Sequence, residues 1–251
     1  MIPVGDEPHP RPALPYVNLA IIAINVLVFV LLQLPNDAFT MAFSTIPKEI
    51  TTGTDLIGPT PITLPNGTTE TIVQADGPDP IWLTLLTSMF MHGGWLHLGG
   101  NMLFLFIFGD NIEAAYGSLK YLVFYLVCGI IASLAHIATD PSSVIPSLGA
   151  SGAISGVLAA YLVLFPQNQV RVLVMFGYVG RIATVPALVM IGLWALLQFI
   201  SGIGSIAVSE QTTGVAYWAH IGGFIAGLVI TFLLRPFLDR GGGPRPSFAS
   251  P

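Results

Sequence analysis

Six apolar segments divide this chain: Tyr16–Leu34, Leu96–Tyr116, Leu119–Ala138, Ser151–Phe165, Val185–Ile203 and Ala216–Leu234. A helix needs about 20 predominantly apolar residues to cross the ~30 Å hydrocarbon core of a bilayer, where each backbone N–H and C=O must find its partner inside the segment. Segments of this kind fill much of the 251 residues, and only 8% of side chains are charged, against roughly 25% in an average soluble domain. The pattern predicts an all-α, polytopic membrane protein built as a six-helix bundle, with no room for a large extra soluble domain. The expected surroundings are the lipid bilayer, with no nucleic-acid partner.

The flanks divide the chain further. Residues 1–15 hold five prolines, two acids and one arginine, which matches neither a secretory n-region nor an Arg-rich transit peptide. They are expected to form a cytoplasmic N-terminal segment, followed by a membrane domain over 16–235 and a disordered cytoplasmic tail over 236–251, rich in Gly, Pro and Ser. Orientation follows the basic residues rather than net charge. With the N-terminus cytoplasmic, Arg11, Lys120, Arg171, Arg181, Arg235, Arg240 and Arg245 fall inside and only Lys48 falls outside. Both termini are then cytoplasmic in a multi-pass protein of the cell membrane.

The loop over 35–80 becomes an outer one. It is long for a connection within a compact domain, and Ile62 to Val73 is expected to pair as two short strands around an Asn66-Gly67 turn. Asn66-Gly67-Thr68 also fits a glycosylation sequon, a pattern short enough to arise by chance. Val170 to Gly180, apolar yet bracketed by Arg171 and Arg181, is expected at the cytoplasmic interface. Cys128, the single cysteine, is read as a small core filler. His136, near the outer end of the third span, is read as an interfacial residue.

The same topology sorts the polar residues within the spans. The second span begins near His97, the fourth at Ser151, and the sixth carries His220 within its first turn and a half. All three belong to the outer part of the bilayer. Asn101 follows His97 by four residues and so projects from the same helix face. Polar groups at this depth are expensive unless partnered, about 2.5 to 3.5 kcal/mol for a central charge, which makes them functional suspects.

Serine hydrolysis needs a hydroxyl whose proton a base accepts, and donors aimed at the oxyanion that develops. Ser151 and His220 supply the first pair, and His97 and Asn101 can supply donors. Taken singly, Gly149-Ala150-Ser151-Gly152 reads equally well as helix packing, and His220 as a core histidine bonded to a carbonyl. Their meeting at one depth favours catalysis. Rival chemistries lack their residues: the chain has no His-Glu-x-x-His and no aspartate pair inside the spans. His92 and His97, five apart, lie about 140° around a helix and make a poor metal pair. No cofactor or metal is expected.

The chain resembles the rhomboid family of intramembrane serine proteases. The resemblance rests on His92-Gly93-Gly94-Trp95-Leu96-His97-Leu98-Gly99-Gly100-Asn101, Glu113-Ala114-Ala115-Tyr116-Gly117, Gly149-Ala150-Ser151-Gly152 and Ala219-His220-Ile221-Gly222-Gly223 with Gly227. It implies a six-helix core, Ser151 as nucleophile, and His220 as general base and then acid. It also implies an oxyanion hole lined by His97 and Asn101 with the Ser151 N–H, and transmembrane-helix substrates entered between spans 2 and 5. His92, Glu113 and Gly117 match positions the family uses structurally. Two departures stand out. Trp82 is followed by Leu83 and Thr84, so a Trp-Arg pair found in many members is missing. Ser155 stands where some members place an aromatic ring under the base. A hydrogen bond from Ser155, or water, is the expectation for what orients His220. The loop from Gly204 to Val215 is the expected lid. Two rival readings are a non-catalytic member that escorts transmembrane helices and a small transporter. The retained Ser–His pair argues against the first, and the lack of titratable residues along a path through the spans argues against the second.

Overall fold

The computed structural model describes residues 2–9, 14–63, 67–176, 179–207 and 216–238. Strand β1 (Ile2–Gly5) precedes α1 (Tyr16–Val28), which widens into a π-turn over Phe29–Gln33. The long loop holds α2 (Asp37–Phe43), α3 (Pro47–Thr52) and the hairpin of β2 (Gly58–Thr63) and β3 (Thr69–Gln74). Helical turns follow from Ile81 to Phe90, with α4 (Thr84–Thr87) at their centre. Then come α5 (Trp95–Tyr116), α6 (Ser118–Thr139), α7 (Ser151–Leu164), the hairpin of β4 (Gln169–Phe176) and β5 (Val179–Pro186), α8 (Ala187–Ala207) and α9 (Tyr217–Leu234).

Among the described residues, four helical stretches are long and apolar enough to cross a bilayer: Tyr16–Gln33, Ser118–Thr139, Ala187–Gly204 and Tyr217–Phe237. α5 is as long as α6 but carries His97, Asn101, Asp110, Asn111 and Glu113. α7 is shorter and buried without interruption from Gly152 to Tyr161. A helix apolar all round belongs at the centre of a bundle, and α7 sits there, packed by α5, α6 and α9. The core runs through these helices and includes Cys128, fully buried as expected.

Two expectations are corrected. The chain is mostly helical but not all-α, because it contains two small antiparallel sheets. The stretch read only as interfacial, Val170 to Gly180, belongs to a strand pair that runs on through Val185 and Pro186, so α8 begins at Ala187 instead of Val185. The N-terminal segment contributes β1, which adds to this hairpin in the order β1-β4-β5. A hairpin forms in the expected region, but its first strand begins before Ile62, with Gly58 opposite Gln74 and Thr63 opposite Thr69. Its turn at 64–66 lies outside the described residues, as do residues 208–215 of the expected lid and residues 239–251 of the tail.

Buried side chains tie the elements together. The Glu113 carboxyl, at the end of α5, accepts from the Val17 N–H at 3.1 Å, the Asn18 N–H at 2.7 Å and the Ser118 hydroxyl at 2.6 Å. It satisfies two N–H groups that the first turn of α1 leaves without helical partners. Asn18 in turn donates to the Leu105 carbonyl at 3.0 Å and accepts from the Tyr121 hydroxyl at 2.8 Å. Each buried donor left without an acceptor costs about 1–3 kcal/mol, so Glu113→Ala is expected to destabilise the protein by about 3 kcal/mol or more. Thermal unfolding in detergent checks this, and Glu113→Gln should lose less.

At the same end of the bundle, Asp6 accepts from the Tyr161 hydroxyl at 2.5 Å and from the Asn111 amide at 2.7 Å. Burial pushes the Asp6 carboxyl up to about 7 despite these donors. At the opposite end, the long loop between α1 and α5 grips the segment leading to α7. Thr45 pairs with Ser147 as an isolated bridge, Gln74 of β3 donates to the Val144 carbonyl at 2.8 Å, and Thr51 donates to the Pro141 carbonyl at 2.9 Å.

Candidate active site

Ser151 is the first residue of α7, and the backbone just before it is unusual. Gly149 has φ +128°, a conformation that residues bearing a Cβ rarely adopt. Its N–H donates to the Ser88 carbonyl at 2.9 Å. A Cβ on Gly149 would lie 2.9 Å from the His97 ring and 3.6 Å from Ser151 Oγ. The missing side chain is therefore what lets His97 come up beside the serine.

α9 brings His220 to the other side. Gly223 and Gly227 face Gly152 and Gly156 of α7, and a Cβ on Gly227 would stand 2.6 Å from the Gly156 Cα. Small residues let two membrane helices approach until their backbones touch. That approach sets His220 Nε2 2.8 Å from Ser151 Oγ. His220 Nδ1 lies 2.7 Å from Gln198 Oε1 on α8, and Trp194, one turn earlier, packs against the ring with centroids 6.1 Å apart.

His97 Nδ1 accepts from the Gly93 N–H at 3.3 Å. An accepting Nδ1 leaves the proton of the neutral ring on Nε2, the edge beside Gly149. Asn101 is reached less directly. Its amide donates to His92 Nε2 at 3.0 Å, and the His92 backbone is held by Gln33 of the π-turn, which accepts from the N–H at 2.9 Å and donates to the C=O at 3.1 Å. Ser151, His220 and His97 are thus brought together, while Asn101 is linked to them through His92, whose ring meets that of His97 with centroids 5.1 Å apart. Beside Ser151 lies a crevice of ≈ 20 Å³, lined in part by Ser88, Ser133, Ser147, Gly149 and Ala219. That is room for about one water molecule.

Residues 80–237 match the Rhomboid domain family. The chain belongs to the rhomboid family. Among curated relatives it is 28% identical over 242 residues to RHOMBOID-like protein 4 of Arabidopsis thaliana, an alignment that covers 92% of this chain and 56% of the relative. It is 34% identical over 146 residues to Rhomboid protease GluP of Bacillus subtilis, covering 58% of this chain and 25% of the relative. It is also 27% identical over 165 residues to Inactive rhomboid protein 1 of Drosophila melanogaster, covering 66% of this chain and 10% of the relative. The chain thus spans about half the length of the first of these and less of the others.

Within this rhomboid domain, the expectation for Ser155 is corrected. Its hydroxyl donates to the Ser151 carbonyl at 2.6 Å, the usual back-bond of a helical serine to the preceding turn, while the two imidazole nitrogens meet Gln198 and Ser151. Sequence reasoning missed Gln198, Trp194 and Gln33. A signal for the first was present, since Gln198 is the sole polar side chain between Ala187 and Ile200, and an isolated polar group in an apolar span needs a partner. Among the described residues no cluster of His, Cys, Asp or Glu is arranged to hold a metal ion.

Proposed function

We propose that this rhomboid is an intramembrane serine endopeptidase that cuts other membrane proteins within or beside their transmembrane helices, near the outer face of the bilayer. The observation that carries this reading is the 2.8 Å approach of His220 Nε2 to Ser151 Oγ on two helices locked together by glycine. The Ser151 hydroxyl gives its proton to His220 Nε2 as Oγ attacks the scissile carbonyl. The oxyanion so formed meets the Ser151 N–H at the start of α7, where the helix dipole favours negative charge, together with His97 Nε2–H and the second amide hydrogen of Asn101. His220 then protonates the leaving amine, and a water activated by the same base hydrolyses the acyl-enzyme. The crevice beside Ser151 is a natural waiting place for that water.

The membrane placement follows the same reading. Six helices cross, namely α1, α5, α6, α7, α8 and α9, with both termini cytoplasmic in the cell membrane. The basic residues support the orientation, because Lys120, Arg171, Arg181 and Arg235 lie at the ends or connections that share one side. α7, with 14 residues, spans only about 21 Å at 1.5 Å per residue, less than the bilayer core. Its first residue therefore starts below the outer surface, where a substrate helix can reach it. A helical peptide bond is shielded by its own hydrogen bonds, so substrates that unwind readily, with Gly, Ala or Ser near the cut, are preferred.

Labelling of the purified protein with a fluorophosphonate tests this function. Wild type should be labelled, and Ser151→Ala and His220→Ala should not. Absence of labelling in wild type would favour a helix-binding role without catalysis; one relative, of Drosophila melanogaster, is itself named an inactive rhomboid protein. Asn101→Ala is expected to keep measurable cleavage while losing about 10² to 10³ in kcat, the usual worth of one oxyanion donor. Cleavage kinetics on a transmembrane substrate check it, and wild-type kcat would remove Asn101 from the hole.

A further inference from the structure

α8 carries a contact that the Ser–His pair does not by itself require. Gln198 sits on a helix whose neighbouring side chains, Leu197, Phe199 and Ile200, are turned outward and exposed. An amide there is costly unless it is bonded, and its oxygen lies 2.7 Å from His220 Nδ1. Trp194 precedes it by four residues, so both project from one face of α8, and the indole packs on the same imidazole. The base is therefore gripped at two points by one helix, at its ring face and at the nitrogen remote from the serine.

We propose that Gln198 is the positioning residue for His220, setting both its tautomer and its orientation. This rests on the reading of Ser151 and His220 as the reacting pair. A glutamine oxygen can only accept, so it holds the proton of the neutral ring on Nδ1 and leaves the Nε2 lone pair facing Ser151. The Ser151 hydroxyl then donates to Nε2, as proton abstraction needs. When His220 takes the serine proton, both ring nitrogens carry hydrogen. The Nδ1–H···Oε1 bond then becomes charge-assisted and stronger, so the contact favours the transition state over the resting state. An amide does this without adding a charge to an apolar helix, where a carboxylate would need a partner of its own. The amide assignment is consistent with the site, because the flipped amide would donate to Nδ1 and push the proton onto Nε2, against the serine.

The test compares Gln198→Met and Gln198→Glu with wild type in the purified full chain. It uses the pH dependence of fluorophosphonate labelling and of kcat/KM on a transmembrane substrate, with thermal unfolding as the folding control. Gln198→Met keeps the length and loses the acceptor, and is expected to lower kcat about 10- to 100-fold, the usual cost of losing a group that orients a functional imidazole. KM should change little. Gln198→Glu restores an acceptor and is expected to recover most of kcat. Its carboxylate favours the imidazolium, so the acid limb of kcat/KM should move to higher pH. A purely structural glutamine would leave both kcat and that limb in place in Gln198→Met, the variant that adds no charge. An active wild type with Gln198→Met unchanged in kcat and pH profile would overturn the role of Gln198 and leave the pair intact. A wild type without Ser151-dependent labelling would overturn the pair itself, and the positioning role with it.

Discussion

Ser151→Ala is expected to lower the cleavage rate of a transmembrane substrate by about 10⁴ or more, and His220→Ala by a comparable factor. The reason is that the two groups act as a unit. Without the hydroxyl there is no acyl-enzyme, and without the imidazole the hydroxyl keeps its proton, so either loss removes the same covalent route. Combining the substitutions should therefore cost little beyond either alone, as is usual for nucleophile and base. Substrate binding should survive, because neither side chain is needed to hold a helix against the domain. Any residual rate above that of water would be supplied by the donors around the oxyanion and by substrate positioning. Initial rates with a reconstituted substrate, alongside a binding measurement, check both parts. Wild-type rates in Ser151→Ala would refute the nucleophile assignment.

Gly223→Val is expected to reduce cleavage at least ~100-fold and to lower the unfolding temperature, although Gly223 touches no substrate. A Cβ at this position runs into the Gly152 carbonyl group, with its carbon at 2.9 Å, and meets the Ala132 Cβ at 3.3 Å. The obstacle is backbone on one side and a packed helix on the other, so no side-chain rotation relieves it. Overpacking of this kind costs about 1–3 kcal/mol and sometimes more. The activity loss should exceed what stability alone would give, because α7 and α9 carry Ser151 and His220, the proposed reacting pair. A displacement of about 1 Å between them is worth roughly 10² in rate. Gly192→Ala is the matched control. It lies on α8, where an added Cβ meets nothing within 4 Å, and it should leave activity and unfolding near wild type. Equal behaviour of the two variants would show that the α7–α9 contact does not set the site.

Much of this molecule could be read along the chain because the signals are local. An apolar run marks a membrane helix through its own hydropathy, and the helices α1, α5, α6, α7, α8 and α9 fall close to the segments expected. The pairing of β2 with β3 is likewise announced locally, since strand signals act over a few residues. The pairing of β1 with β4 left no such mark. Ile2 finds Leu173 across a sequence separation that no periodicity encodes, and a proline-rich N-terminus gives no local reason to expect a strand partner. The reach of Asp6 into Tyr161 and Asn111 is hidden for the same reason.

The site divides the same way. Ser151, His220, His97 and Asn101 stand out in the sequence because polar groups in apolar segments are expensive and because the topology predicts a shared depth. Depth alone, however, does not say which atoms meet. The 2.8 Å approach of Ser151 to His220 depends on two glycine pairs in register between helices. The link from Asn101 to His92 to Gln33 crosses three elements. Ser155 and Gln198 show the limit most clearly. Ser155 was the nearer candidate in sequence to hold the base, yet its hydroxyl satisfies its own helix, while the amide that meets His220 comes from a different helix altogether. Composition and hydropathy determined that this chain enters a membrane and keeps a serine and a histidine there. Which side chain steadies the histidine was decided only by how α8 packs against α9, because a hydrogen bond depends on distances between helices that no single segment contains.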